Sequence, residues 1–133
     1  MPRFCFRSSG PERRRTAIAG VFFCGSLLLS VAHAADDVAR GERLYQERCG
    51  ACHSPDENGA GPKHRGLKGR KAGTQPGFDY SAALRASNIV WSSQTLERWI
   101  DDPNALVPGN NMIVRLAGDP ADRAAIVAYL LSD

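Results

Sequence analysis

Apolar residues recur at helical spacing in three stretches of this chain and lose all period in a fourth. Val38, Gly41, Leu44, Tyr45 and Arg48 fall near one face of a helix. Asp36 and Asp37 place negative charge where such a helix would start, and it is expected to run to about Cys49. Gly41 reads either as a weak helix position, costing about 1 kcal/mol, or as the place where another helix comes close. From Ser54 to Gly77 the chain holds Pro55, Gly59, Gly61, Pro62, Gly66, Gly69, Gly73 and Pro76, which is turn chemistry without an apolar period. A loop of that length is uncommon in a compact domain unless it works or wraps something. Ser81 can cap a short helix through about Ala86, and Ser92 or Ser93 starts another. That second helix carries Leu96, Trp99 and Ile100 at helical spacing, with Arg98 and Asp102 as an i,i+4 pair, and Pro103 ends it. Asp119-Pro120 is a cap followed by proline at the first helical position, after which Asp122, Ile126, Tyr129 and Leu130 share a face. No run alternates with period two, so the expected class is all-α with long loops.

The first 34 residues read differently. Arg13, Arg14 and Arg15 precede an almost unbroken apolar run from Thr16 to Ser30, and Ala32-His33-Ala34 follows with small residues at the cleavage positions. Residues 1–34 are therefore expected to be a secretory signal cut after Ala34, leaving 35–133 as one domain and no permanent membrane span. The alternative is a retained anchor, for which the apolar run is near the short limit. Removing the signal alters the arithmetic. It takes Cys5 and Cys24, five of the seventeen basic residues and one of the fourteen acidic ones. Twelve cations then face thirteen acids, so the basic character of the whole chain belongs mostly to the signal and nucleic-acid binding has no support. Only Cys49 and Cys52 remain, too few for a disulfide framework in an exported protein.

Those two cysteines stand in Cys49-Gly50-Ala51-Cys52-His53, the spacing of a c-type haem attachment site. Two thiols one helical turn apart can each bond a vinyl group of one haem, with the adjacent imidazole facing the iron. A zinc site would need two more ligands, and beyond residue 34 only His53 and His64 are on offer, His53 being badly placed beside Cys52. A redox-active dithiol expects a βαβ context, whereas these flanks read as helix and loop. A chain of this size buries only a modest core, and an enclosed macrocycle would add the apolar surface it lacks.

The ordered set of segments resembles the class I c-type cytochromes over nearly all of 38–133. It comprises GERLY before CGACH, GP at 61–62, GLKGRKAG, GFDYSAAL, Trp91, TLERWI, DDPNALVPGNNM and a terminal RAAIVAYL. The resemblance implies a cytochrome c fold, a few helices and long loops wrapped around one covalently bound haem c. It makes Cys49 and Cys52 the thioether residues, His53 the proximal ligand and Met112 the distal ligand. Met112 is also the one methionine left after the signal. Pro62 matches the proline whose carbonyl orients the proximal ring; Arg70, Tyr80 and Trp91 match residues near the propionates. Gly41 and Tyr45 match the contact of the first helix with the last. Several positions depart from the family. His64 stands where an apolar residue is usual, Trp99 replaces a tyrosine near the distal sulfur, and Leu84 and Val114 replace asparagine and phenylalanine. The lysines that commonly ring the haem edge are mostly missing. Lys63, Arg65, Lys68, Arg70 and Lys71 instead cluster in the loop, as a solvated face or as contacts to propionate or partner.

The implied function is a monomeric, exported, periplasmic electron carrier and not an enzyme, with redox proteins as donor and acceptor. His/Met ligation would raise its potential. Two rivals remain open at this point: an electron-accepting subunit of one dehydrogenase, and a haem enzyme or gas sensor with an open distal site.

Overall fold

The computed structural model describes residues 26–132, with side chains from residue 35 onward; most of the expected signal lies outside the described residues. Five helices follow in order: α1 (Ser26–Arg48), α2 (Ala82–Ala86), α3 (Ser93–Asp101), α4 (Pro103–Leu106) and α5 (Pro120–Leu130). Among the described residues no strand forms. The one β-like feature is an antiparallel bridge between Lys71 and Val90. No described helix is long and apolar enough to cross a membrane.

Each short helix begins where its capping side chain stands. The Ser81 hydroxyl accepts from the Leu84 N–H at 3.1 Å. Ser92 and Thr95 form a reciprocal capping box at the start of α3, which satisfies two otherwise unpaired N–H donors. Asp119 accepts from the Ala121 N–H at 2.8 Å, and Pro120 opens α5. Two expectations need correction. Helix α1 reaches back to Ser26, so Asp36 and Asp37 sit inside it rather than at its start; no proline or glycine interrupts 26–40, and helical geometry runs straight through the expected cleavage point. The Arg98–Asp102 pair also gives way. The Asp102 carboxylate turns forward to accept from Asn104 and Ala105 N–H groups at 3.1 and 2.9 Å and pairs with Arg115 at 3.2 Å. It thereby starts α4, a turn too short to carry an apolar period.

The long helices α1 and α5 pack on each other, and α3 packs on α5 and α4. Tyr45, Leu96 and Ile126, one from each long element, are the largest fully buried side chains. At Gly41 the two helices nearly touch: a Cβ there would lie 1.9 Å from the Ala125 carbonyl oxygen. Arg48 lies on the apolar face of α1 because it has a charge to meet. Asp122 of α5, 7 % exposed, receives the guanidinium groups of both Arg40 and Arg48. A buried carboxylate is tolerable when paired in this way.

The loop from 54 to 80 is anchored at its far end. Gly69 N–H donates to Trp91 O (2.9 Å), Trp91 N–H to Arg70 O (3.0 Å) and Ala72 N–H to Ile89 O (2.9 Å). Gly73 then turns with φ +74°, where a Cβ would press on the backbone of Leu84 and Arg85 at about 3 Å. These bonds bring Arg70 and Trp91 side by side over the interior.

Candidate functional site

The last turn of α1 runs directly into the Cys49–His53 turn. Cys52 and His53 N–H groups both donate to the Cys49 carbonyl, at 3.0 and 2.9 Å. The His53 ring is held on two sides. Its Nδ1 lies 2.8 Å from the Pro62 carbonyl, to which an Nδ1–H donates. A Cβ on Gly61 would fall 2.2 Å from the ring Cε1, so only glycine fits before this proline. Among the described residues Nε2 has no partner, and the ring lines the interior space. Burial pulls the His53 pKa down, partly offset by the Pro62 bond, and the net shift favours the neutral form a metal ligand requires. Burial also pushes the Cys49 thiol up to about 11. That is the reverse of a nucleophilic dithiol, whose thiolate is stabilised.

Met112 reaches the same space from the loop after α4. After α4 the chain turns at Gly109, with φ +82°. Asn110 then fixes the approach: its Nδ2 donates to Val107 O at 2.8 Å, and its Oδ1 accepts from Met112 N–H at 2.8 Å. Between His53 and Met112 lie two adjoining cavities. The outer one, about 260 Å³, is lined by Cys52, Phe78, Leu84, Asn111, Ile113 and Val114 among others. The inner one, about 70 Å³, takes in Cys49, His64, Leu67, Arg70, Trp91 and Ile126. His53, Tyr80, Trp99 and Met112 line both. The structure thus gathers Cys49, Cys52, His53, Arg70, Tyr80, Trp91, Trp99 and Met112 around one interior space, with Pro62 behind the imidazole.

Arg70 is fixed by acceptors on three sides. Its guanidinium donates to the carbonyls of Arg65 (3.0 Å) and Lys63 (3.2 Å) and to Gln75 Oε1 (2.5 Å). Gln75 is 8 % exposed and nothing in the sequence marked it, because a glutamine in a glycine-rich loop carries no local signal. Asn110 was equally unmarked, although an Asx residue just before a turn's key side chain is a usable clue. Trp99 packs on Trp91, with ring centroids 5.6 Å apart at 60°. His64 stacks on His53, centroids 4.2 Å apart and planes 22° from parallel. No group of three or more His, Cys, Asp or Glu among the described residues can hold a metal ion, so the zinc reading has no site there.

Fold and site together define a small helical protein built to hold one macrocyclic cofactor at a Cys-x-x-Cys-His turn. Residues 38–133 match the family model described as cytochrome c. A cytochrome c2 of Rhodomicrobium vannielii is 37% identical over 102 residues, 74% of this chain and 81% of that protein. Cytochrome c2 iso-2 of Magnetospirillum fulvum is 44% identical over 86 residues, 63% of this chain and 90% of its own. Among solved structures, cytochrome cH from Methylobacterium extorquens superimposes with a TM-score of 0.69 at 38% identity, covering 73% of this chain and 99% of that one. The chain belongs to the cytochrome c family, and its cofactor is one covalently attached haem c. The donor set fits that group: two thiols on one turn, an imidazole with Nε2 unengaged, a thioether lining the same space, aromatic walls and one fixed arginine.

Proposed function

We propose that the chain is an exported, monomeric single-electron carrier that moves between redox proteins, with Cys49 and Cys52 as the thioether residues and His53 and Met112 as the iron ligands. When bound, the haem supplies reversible one-electron chemistry at iron. The chain does the rest. Pro62 and Gly61 hold the His53 ring at Nδ1 and Cε1, Asn110 sets the approach of Met112, and Arg70, Tyr80 and Trp91 close the end where propionates would lie. The single observation carrying this reading is that one imidazole and one thioether line the same space, and that among the described residues the acids and bases lining it are held elsewhere: His64 is stacked on His53 and Arg70 is bonded to Lys63, Arg65 and Gln75. Asp79 is the one acid lining the outer cavity, and its side chain, 96% exposed, turns outward to pair with Arg85 at 2.7 Å. A site for peroxide or gas chemistry would leave a coordination position open and set a polar group over it.

Export after cleavage at Ala34 is part of the proposal. Such a cut would leave Asp36 and Asp37 at the new start of α1, where their charge complements the helix dipole. The ligation is tested with carbon monoxide. The native ferrous protein should bind it poorly, since Met112 must first be displaced. Met112→Ala should bind it readily and lose the weak near-infrared band of ferric His/Met haem. Rapid, stoichiometric binding by the unmodified protein would overturn the carrier reading.

A further inference from the structure

The interior holds two side-chain atoms on touching rings that no residue among those described satisfies. Tyr45 Oη and His64 Nδ1 are both buried and both lack a hydrogen-bond partner. Their rings meet edge to face with centroids 5.6 Å apart, and a cavity of about 190 Å³ adjoins them, lined also by Pro55, Arg65, Tyr129 and Leu130. An orphaned buried donor or acceptor is costly, so two such groups on touching rings call for a shared partner. The other face of the His64 ring is equally committed, since it lies nearly flat on His53.

We propose that His64 is a positioning residue for the proximal imidazole: linked to the Tyr45 hydroxyl through Nδ1 across one bridging water, it covers one face of His53 and limits turning of that ring. The Pro62 carbonyl holds His53 by one atom and leaves rotation about that bond open. Gly61 backs the ring at Cε1, and a flat neighbour supplies the missing restraint. Tyr45 is a fixed support. It is 0% exposed and sits in the contact of α1 with α5, its ring 5.2 Å from that of Tyr129. The line Tyr45–His64–His53 therefore ties the orientation of the ligand plane to the helix contact that defines the fold. Burial holds the His64 pKa down at about 3, so the ring is neutral, with one nitrogen to donate and one to accept. No change of charge enters the proposal.

The proposal rests on His53 being the iron ligand, and the ring-current-shifted His53 ring protons of each ferrous variant report that ligation separately. The test uses the haem-loaded wild type, Tyr45→Phe, His64→Leu and the double variant. In ferrous protein the 15N shift of His64 Nδ1 should be that of a hydrogen-bonded nitrogen and should move in Tyr45→Phe. In ferric protein the spread of haem-methyl proton shifts follows the ligand planes. It should change in His64→Leu, change by less in Tyr45→Phe, and in the double variant equal that of His64→Leu, because Tyr45 acts through His64. Tyr45→Phe removes one oxygen and keeps the ring, so its result stands even where His64→Leu folds poorly. An unshifted Nδ1 in Tyr45→Phe would overturn the proposal. So would a methyl spread that ignores His64→Leu, or a Tyr45→Phe effect that persists in full without His64.

Discussion

Gly41→Ala adds one methyl group, and two physical arguments give it opposite signs. Helix propensity alone favours alanine by about 1 kcal/mol in a helix interior. Packing opposes it. The new Cβ would lie 1.9 Å from the Ala125 carbonyl oxygen and 2.6 Å from its carbon, against a floor near 3.0 Å for real contacts, so α1 and α5 must separate locally by about 1.1 Å. Neither atom belongs to a side chain that can rotate away. Overpacking of this kind costs typically 1–3 kcal/mol, and a backbone-to-backbone clash belongs at the top of that range. Separation also stretches the Arg40 and Arg48 bonds to Asp122. With the propensity gain subtracted, the net loss is about 2 kcal/mol, worth roughly 8–16 °C in Tm for a domain of about 100 residues. Thermal unfolding of the haem-loaded protein, followed by circular dichroism at 222 nm, measures it. A Tm equal to or above that of the native protein would refute the argument that this contact is backbone-limited.

Asp122→Asn removes the charge that two guanidinium groups share and leaves one amide oxygen for both. Because Arg40 and Arg48 keep access to water, with side chains 39% and 37% exposed, the loss should be about 1–2 kcal/mol in denaturant unfolding, not that of a fully buried pair. Cys49→Ala, Cys52→Ala should lose covalent haem by intact mass and most of its helix signal, since the 54–77 loop has little else to pack on. Native circular dichroism without haem would contradict that. Electron-transfer rates with the physiological partner should fall only modestly as salt rises. No lysine or arginine lines the outer cavity, and Ile113, beside Met112, is 95% exposed, so contact there is apolar and steering weak. A fall of several orders of magnitude would show that Lys63, Arg65, Lys68 and Lys71 guide docking after all.

What the sequence by itself determined is what local chemistry controls. Ser81, Ser92 and Asp119 start helices because a cap acts within three residues of itself. Cys49, Cys52 and His53 announce the attachment turn because both thiols must come from one turn. Gly41 foreshadowed its helix contact because a missing side chain is visible in one letter. The tertiary structure decided what depends on partners far along the chain. Asp122 read as one member of an apolar face until Arg40 and Arg48, more than seventy residues away, turned it into a buried ion cluster. Asp102 had two local offers and took the cap over Arg98, because Pro103 prepares the next turn and Arg115 comes within reach. Gln75, Asn110 and the pairing of Tyr45 with His64 were equally hidden. A buried polar group is specified by what lies across from it, and only the folded chain brings the two sides together.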